Sequence, residues 1–287
     1  MRDLFVRRRA AALPRLLILA ALMVMAGACA PKRVPLVEPP VAEESGEDKA
    51  AIIWQRFAAR AKAAEGMTGP FRVSATLRYT DNEGKNTRAS GLLWGNGKTA
   101  APHPLRLDLT AGPGVVVAKA REDASSFLVY VPDEKSAYRR EGKHSTLTSF
   151  GVPVPLSLGD LTLLVSGQSG ALFLPSVSAA DSGVPTERSL TENGARYILP
   201  GSRLPGELEL SEDGAPVSWK ELGREGWSMV FEPGDMDPLK PRRVRVSHVQ
   251  GWSALMVVKE ISRVSPPYST AQLDLPLPPG TETKPIE

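Results

Sequence analysis

The sequence predicts a mainly β protein with a few helices, built on antiparallel strands. Three observations carry this. From residue 71 onward, apolar side chains recur at every second position in run after run, the period of a half-buried strand. Short loops rich in Gly, Pro, Asp and Asn separate several of these runs, which suits hairpins rather than the long crossovers that parallel strands require. Helical spacing occurs once before the strands and once midway through them.

The chain opens with a segment of another kind. Arg2, Arg7, Arg8, Arg9 and Arg15 give it a positive start, Leu16 to Met25 is charge-free and apolar, and Ala26-Gly27-Ala28 is small. That is the layout of a secretory signal over residues 1–28. The 13 residues from Leu16 to Ala28 are fewer than the roughly 20 that span a bilayer core. Cys29 follows and is the only cysteine, so it makes no intramolecular disulfide, and His103, His144 and His248 form no metal or nucleophile motif with it. The stretch "AGAC" resembles the lipobox of bacterial lipoproteins, with Ala26 where that family usually carries Leu. The resemblance implies cleavage before Cys29 and its acylation on sulfur and nitrogen. One acyl chain anchors a protein only marginally, whereas two or three hold it durably. Ala30 stands where many inner-membrane lipoproteins carry Asp, which implies the outer membrane, facing the periplasm. A thiol kept for acylation in an oxidising compartment is best left without disulfide partners.

The formal net charge of +3 and the basic pI of about 9.0 would suit a nucleic-acid partner. Residues 1–28 hold five Arg and one Asp, however, so the remaining side chains carry a net −1. The basic excess belongs to the signal, and no nucleic-acid partner is expected.

Residues 29–46, rich in Pro and Glu and poor in bulky apolar side chains, read as a flexible tether. Residues 47–275 suit one domain. Its first element is a helix, "EDKAAIIWQRFAARAKAAEG", with acids at its start, Gly66 at its end and an apolar face of Ile53, Phe57, Ala61 and Ala64 widened by Trp54. "FRVSATLRY" then alternates as a strand, "DNEGKN" turns, and "TRASGLLWG" returns. "PLRLDLT", "GVVVAKARE", "SFLVYVP" and "SAYRRE" continue the first group. In "FGVPVPLSLGDLTLLVSGQ", Pro153 and Pro155 end the strand pattern, and Leu158, Leu161, Leu164 and Val165 share a helical face between a Ser157 N-cap and a Gly167 C-cap. A second group follows: "ARYILP", "GELELS", "PVSWKE", "GWSMVFEP", "RRVRVSHV" and "SALMVVKEI". Residues 276–287 form a Pro-rich tail expected to be loosely held.

This order of elements behind a lipoprotein signal resembles the LolA/LolB superfamily of bacterial lipoprotein carriers, most closely its outer-membrane receptor branch, LolB. The Trp54 helix leading into "FRVSATLRY", the pair "PLRLDLTAGPGVVVAKA" and the segment "VPVPLSLGDLTLLVSGQ" carry the likeness, over about residues 47–260. It implies an incomplete antiparallel β-barrel of about eleven strands, with an N-terminal helix and a central helical lid over an apolar cavity for acyl chains. Candidate cavity-lining residues are Phe71, Val73, Leu77, Leu105, Leu107, Leu158, Leu161, Val244 and Val246. Periodicity alone does not distinguish a cavity wall from a packed core, so a filled interior stays open as the alternative. The family receptor carries an exposed Leu in a protruding hairpin, and the matching loop here, "TAGPGV", offers Pro113 and Val115. Either Val115 touches the membrane, or this relative binds lipid without inserting lipoproteins.

No GxSxG, HExxH, CxxC or phosphate-cradling Gly loop occurs. Glu43-Glu44 and Asp133-Glu134 are adjacent acids without an opposed partner, and Arg139-Arg140 and Arg242-Arg243 suit exposed strand ends as well as lipid headgroups. A non-enzymatic monomer is expected, without metal or cofactor beyond the lipid on Cys29. Its expected partners are the outer membrane, acyl chains and a soluble periplasmic carrier of the LolA type. A structural or interaction envelope lipoprotein, or a lipid- or glycolipid-binding protein without insertion activity, with the same fold is the alternative. A third is an envelope hydrolase, whose dispersed site would leave no local pattern.

Overall fold

The computed structural model describes residues 46–64, 69–97, 104–142, 146–150, 152, 154–174, 184–223, 226–234 and 237–286. The signal, Cys29, the tether up to residue 45, Gly66, His103, His144 and Pro153 lie outside them. Helix α1 (Gly46–Ala64) precedes six strands: β1 (Phe71–Thr80), β2 (Asn86–Gly95), β3 (Leu105–Thr110), β4 (Val116–Glu122), β5 (Ser126–Val131) and β6 (Ser136–Glu141). Helices α2 (Leu158–Val165) and α3 (Gly170–Phe173) come next. Seven strands follow: β7 (Arg188–Thr191), β8 (Gly194–Leu199), β9 (Gly206–Ser211), β10 (Pro216–Glu221), β11 (Trp227–Pro233), β12 (Pro241–His248) and β13 (Ser253–Arg263). The short α4 (Thr270–Leu273) and β14 (Glu282–Pro285) end the chain.

Among the described residues the strands make one 14-stranded sheet in the order β14-β6-β5-β4-β3-β2-β1-β13-β12-β11-β10-β9-β8-β7. Two meanders, β1 to β6 and β7 to β13, thus join through the antiparallel pair β1–β13. The sheet does not close: β7 and β14 are its two ends. A register shift between Ser74 and Ala75 falls at the join of the meanders, where a bulge adds bend and twist. Helix α2 packs against β3 of one meander and β12 of the other, so the sheet curls round it. The result is a mainly β, incomplete barrel with helices on its concave side.

The strand count exceeds the eleven or so expected. Strand β7, "RSLT", and strand β14, "ETKP", are four residues each and lack an alternating apolar face. Residues 276–287, whose end is expected to be loosely held, carry β14 and pair with β6, and the segment leading into them, 268–275, is fastened to β2 and β3. Tyr268 exchanges hydrogen bonds with Asn96, each 2.8 Å. The Trp94 indole donates to the Gln272 carbonyl at 3.3 Å. The buried Arg106 donates to the Asp274 carbonyl and, at 3.1 Å, to Asp108, with its guanidinium 5.4 Å from the Trp94 ring centre. Leu273 and Leu275 are buried, and β14 then pairs in parallel with β6.

On α1 the apolar stripe runs Ala50, Ile53, Trp54, Phe57 and Ala61, all buried, and it packs on β7, β8 and β9. The Tyr197 hydroxyl donates to the Ala50 carbonyl at 2.6 Å, and burial pushes its pKa up to about 12. Gly214, with φ +81°, lies so close to α1 that a Cβ there would sit 2.8 Å from the Phe57 nitrogen. The β9–β10 turn therefore needs glycine twice over, for its backbone and for the approach.

Candidate functional site

Pairing register sorts the inner face of the first meander into three rows across the strands. The end row is Phe71, Gly95, Leu105, Glu122 and Phe127. The next is Val73, Leu93, Leu107, Ala120 and Val129. The third is Ala75, Gly91, Leu109 and Ala118. The end row is bulky: a Cβ on Gly95 would lie 2.5 Å from Leu105 Cδ2 and 3.3 Å from Phe71 Cε1, so these side chains pack over the glycine. The third row is small apart from Leu109, and the interior stays empty between it and the second row.

A cavity of about 60 Å³ lies between these rows, β12, β13 and the lid segment. Among the described residues seventeen line it, every one aliphatic, Met, Ala or Gly. The sheet contributes Val73, Ala75, Leu77, Gly91, Leu93, Leu107, Leu109, Val244, Val246, Ala254 and Met256, and the lid contributes Leu147, Val152, Val154, Leu156, Leu161 and Val165. A second void of about 20 Å³ lies under the same lid, against Ala118, Ala120 and Val129. Water needs polar partners to occupy such a space, so these voids are dry.

Of the candidates read from the sequence, Val73, Leu77, Leu107, Leu161, Val244 and Val246 lie on the cavity wall. Phe71 and Leu105 do not line it, since they belong to the end row. Leu158 is buried and also lies off the wall, because α2 is buried along its whole length and only Leu161 and Val165 meet the void. Period-two extension along β1 and β3 would have added Ala75 and Leu109. The lid residues before Ser157 carry no such signal. In the β3–β4 loop, residues 111–115 are all exposed, with Val115 at 54 %.

The lid is secured at both ends of α2. Ser157 Oγ accepts from the Asp160 amide at 3.0 Å while Asp160 Oδ2 accepts from the Ser157 amide at 3.1 Å, a capping box. Arg203 donates to Asp160 Oδ1 at 2.5 Å, and Glu122 of the end row accepts from the Gly159 amide at 3.0 Å. Burial, with Asp160 nearby, raises the Glu122 pKa to about 7, although the Gly159 and Leu158 amides and Arg203 oppose the shift. At the other end, the Gly167 amide donates to the Leu164 carbonyl and the Gln168 amide to the Leu163 carbonyl, a Schellman closure on a glycine at φ +81°.

Among the described residues no three of His, Cys, Asp and Glu gather to hold a metal. The His248 ring lies tilted against Trp227 with ring centres 4.5 Å apart, and its Nδ1 accepts from the Gln250 amide. Glu134 accepts from the Tyr138 hydroxyl, Arg139 pairs with Glu141 at 2.6 Å and Arg243 with Glu232 at 3.0 Å. No described helix is long and apolar enough to cross a membrane.

No family model matches this chain, and no curated protein matches it. Solved structures similar to it include a LolA superfamily protein from Nitrosomonas europaea, 11 % identical, covering 76 % of this chain and 94 % of that one with a TM-score of 0.49. A DUF1329 family protein from Desulfovibrio piger is 13 % identical, covers 79 % and 97 %, and gives 0.49. An outer membrane lipoprotein-sorting protein domain from Vibrio parahaemolyticus is 11 % identical, covers 76 % and 94 %, and gives 0.42.

Proposed function

We propose that this chain is a non-enzymatic lipoprotein, anchored through acylated Cys29 to the periplasmic face of the outer membrane, that holds acyl chains in the cavity beneath its lid. In this reading it receives or localises lipoproteins there, with a soluble periplasmic carrier as the donor and Pro113 and Val115 at the loop that meets the membrane. The observation that carries the reading is a wall whose seventeen described residues include no polar or aromatic side chain. An alkyl chain would restore the dispersion contacts that the dry wall lacks. At about 60 Å³ the void is smaller than the roughly 150 Å³ that admits benzene in an engineered apolar cavity, so a chain enters only when the lid lifts.

The same small volume favours a second reading, a structural envelope lipoprotein whose interior stays shut. Mass spectrometry of lipids recovered with the purified full chain separates the two. Stoichiometric acyl lipid beyond that on Cys29 supports the carrier reading. A lipid-free chain that takes up no fluorescent fatty acid overturns it.

A further inference from the structure

The outer, convex face of the sheet carries a charge pattern that the cavity does not explain. Side chains facing away from the core line up across the strands as Arg88, Arg78, Leu255, Arg245 and Val230, on β2, β1, β13, β12 and β11. All three arginines are exposed, and among the described residues none of them makes an ion pair. Arg78 and Arg88 stand directly opposite each other, and like charges so placed destabilise a strand pair. Elsewhere on the sheet arginines have an acid beside them: Arg243 pairs with Glu232 at 3.0 Å, Arg196 with Glu207 at 3.2 Å and Arg106 with Asp108 at 3.1 Å. The row thus keeps a repulsion that a single bound anion would relieve.

The same end of the sheet bears exposed apolar side chains. The pairs Thr80–Ser253 and Trp227–His248 bring the β10–β11 and β12–β13 turns to the end of β1, just past the row. The Val249 amide donates to the Gly226 carbonyl at 3.3 Å, which ties the two turns together, and Val249 is 77 % exposed. Leu222 on the first turn and Val230 in the row are exposed as well. The β1–β2 turn beside them is polar, with Asp81, Glu83 and Lys85, so the apolar tips belong to the other two turns.

From this we infer that this end of the convex face lies on a membrane surface containing anionic phospholipid. Val249 and Leu222 enter the headgroup layer, and Arg78, Arg88 and Arg245 bind phosphates behind them. The arginines span four strands, about 15 Å, and a fluid surface supplies movable phosphates to all of them at once. A phosphate between Arg78 and Arg88 also removes their mutual repulsion. The apolar tips are single side chains, not the contiguous patch that a stable protein interface buries. The inference goes beyond the acyl-chain site and the loop at Pro113 and Val115, since it concerns other strands and turns and stands whether or not the cavity takes lipid.

The test puts a thiol-reactive fluorophore on the full chain carrying Val249→Cys, with the labelled position checked by peptide mass spectrometry. The probes are vesicles of dioleoylphosphatidylcholine, alone or with dioleoylphosphatidylglycerol added. Flotation reports attachment, and quenching by neutral acrylamide reports whether the turn is shielded. The label should be shielded on the anionic vesicles and not on phosphatidylcholine, and added salt should reverse the shielding. Arg78→Gln, Arg88→Gln and Arg245→Gln together should lower the docked-to-free ratio about a hundredfold. Their Tm should not fall, because the opposed pair is gone. Equal shielding on both vesicles, or shielding that survives the triple substitution, overturns the inference. A label exposed on both vesicles but shielded in native envelopes gives this face to an acidic protein partner and also overturns it. A chain that floats only with the anionic vesicles, and not after the triple substitution, supports the inference and overturns anchorage at Cys29. One that floats with neither overturns both.

Discussion

The two meanders share the alternation, the curl and the antiparallel register, yet their inner faces differ in side-chain size. The second, with α1 and α3, buries Trp54, Phe57, Phe173, Tyr197, Trp219, Trp227 and Phe231. Their rings meet in pairs, Trp54 with Tyr197 at 5.0 Å, Trp54 with Phe57 at 5.4 Å and Phe173 with Phe231 at 6.2 Å. The first meander offers Val, Leu, Ala and Gly over most of its concave face and keeps its buried ring, Phe127, in the end row. Each ring brings a large, rigid area to its half and completes the packing. Branched and small side chains do not reach across the sheet's concave side. A void in this architecture is therefore a matter of residue volume and requires no special backbone.

The sharpest way to break the comparison is to remove a ring from the filled half. Trp54→Ala should cost about 3–5 kcal/mol and lower Tm on the order of 10 °C, because nothing nearby relaxes into the space. A calorimetric shift of only a degree or two would mean that the aromatic cluster is not what stabilises the fold. The converse change puts a ring into the empty half. Ala75→Phe should reduce recovered lipid at least about tenfold while stability stays within about 2 kcal/mol, since the ring enters existing space. Unchanged lipid content in a folded variant would count against the cavity as the site.

The smallest effect concerns the lid that separates the halves. The Glu122 carboxyl binds its proton more tightly in the folded state, with a pKa near 7 against an ordinary 4.5. Its protonation therefore favours the closed lid fully below pH 4.5, and that contribution is lost as pH rises to about 7. Glu122→Gln keeps an acceptor for the Gly159 amide and should raise Tm by a few degrees at pH 8 and hardly at all at pH 4.5. Parallel Tm–pH curves for wild type and variant would remove Glu122 from the account.

The readable parts of the sequence were those with local causes. Ser157 and Gly167 bracket α2 because a hydroxyl acceptor and a left-handed glycine act within one turn of the helix end. Residues such as Val73, Leu77, Leu107, Val244 and Val246 were placed inward by period two. What was not legible depends on register. Phe71 and Leu105 have the same alternation as Val73 and Leu107, but opposite Gly95 they fall in the end row, and no pattern within one strand reveals that. The voids are equally hidden, since small residues matter only when Ala75, Gly91 and Ala118 prove to be neighbours across strands.

The closing strand, β14, has one more consequence. An incomplete barrel leaves its outermost strands free to recruit a neighbour's backbone, the route to aggregation that closed barrels avoid. Here the end beside β6 is occupied by "ETKP", four residues long, carrying Lys284 and ending in Pro285, which has no amide hydrogen to donate. At the other end α1 packs on β7. The margin beside β6 therefore offers a neighbour little backbone to pair with, so a lid that lifts need not bring stickiness along that edge.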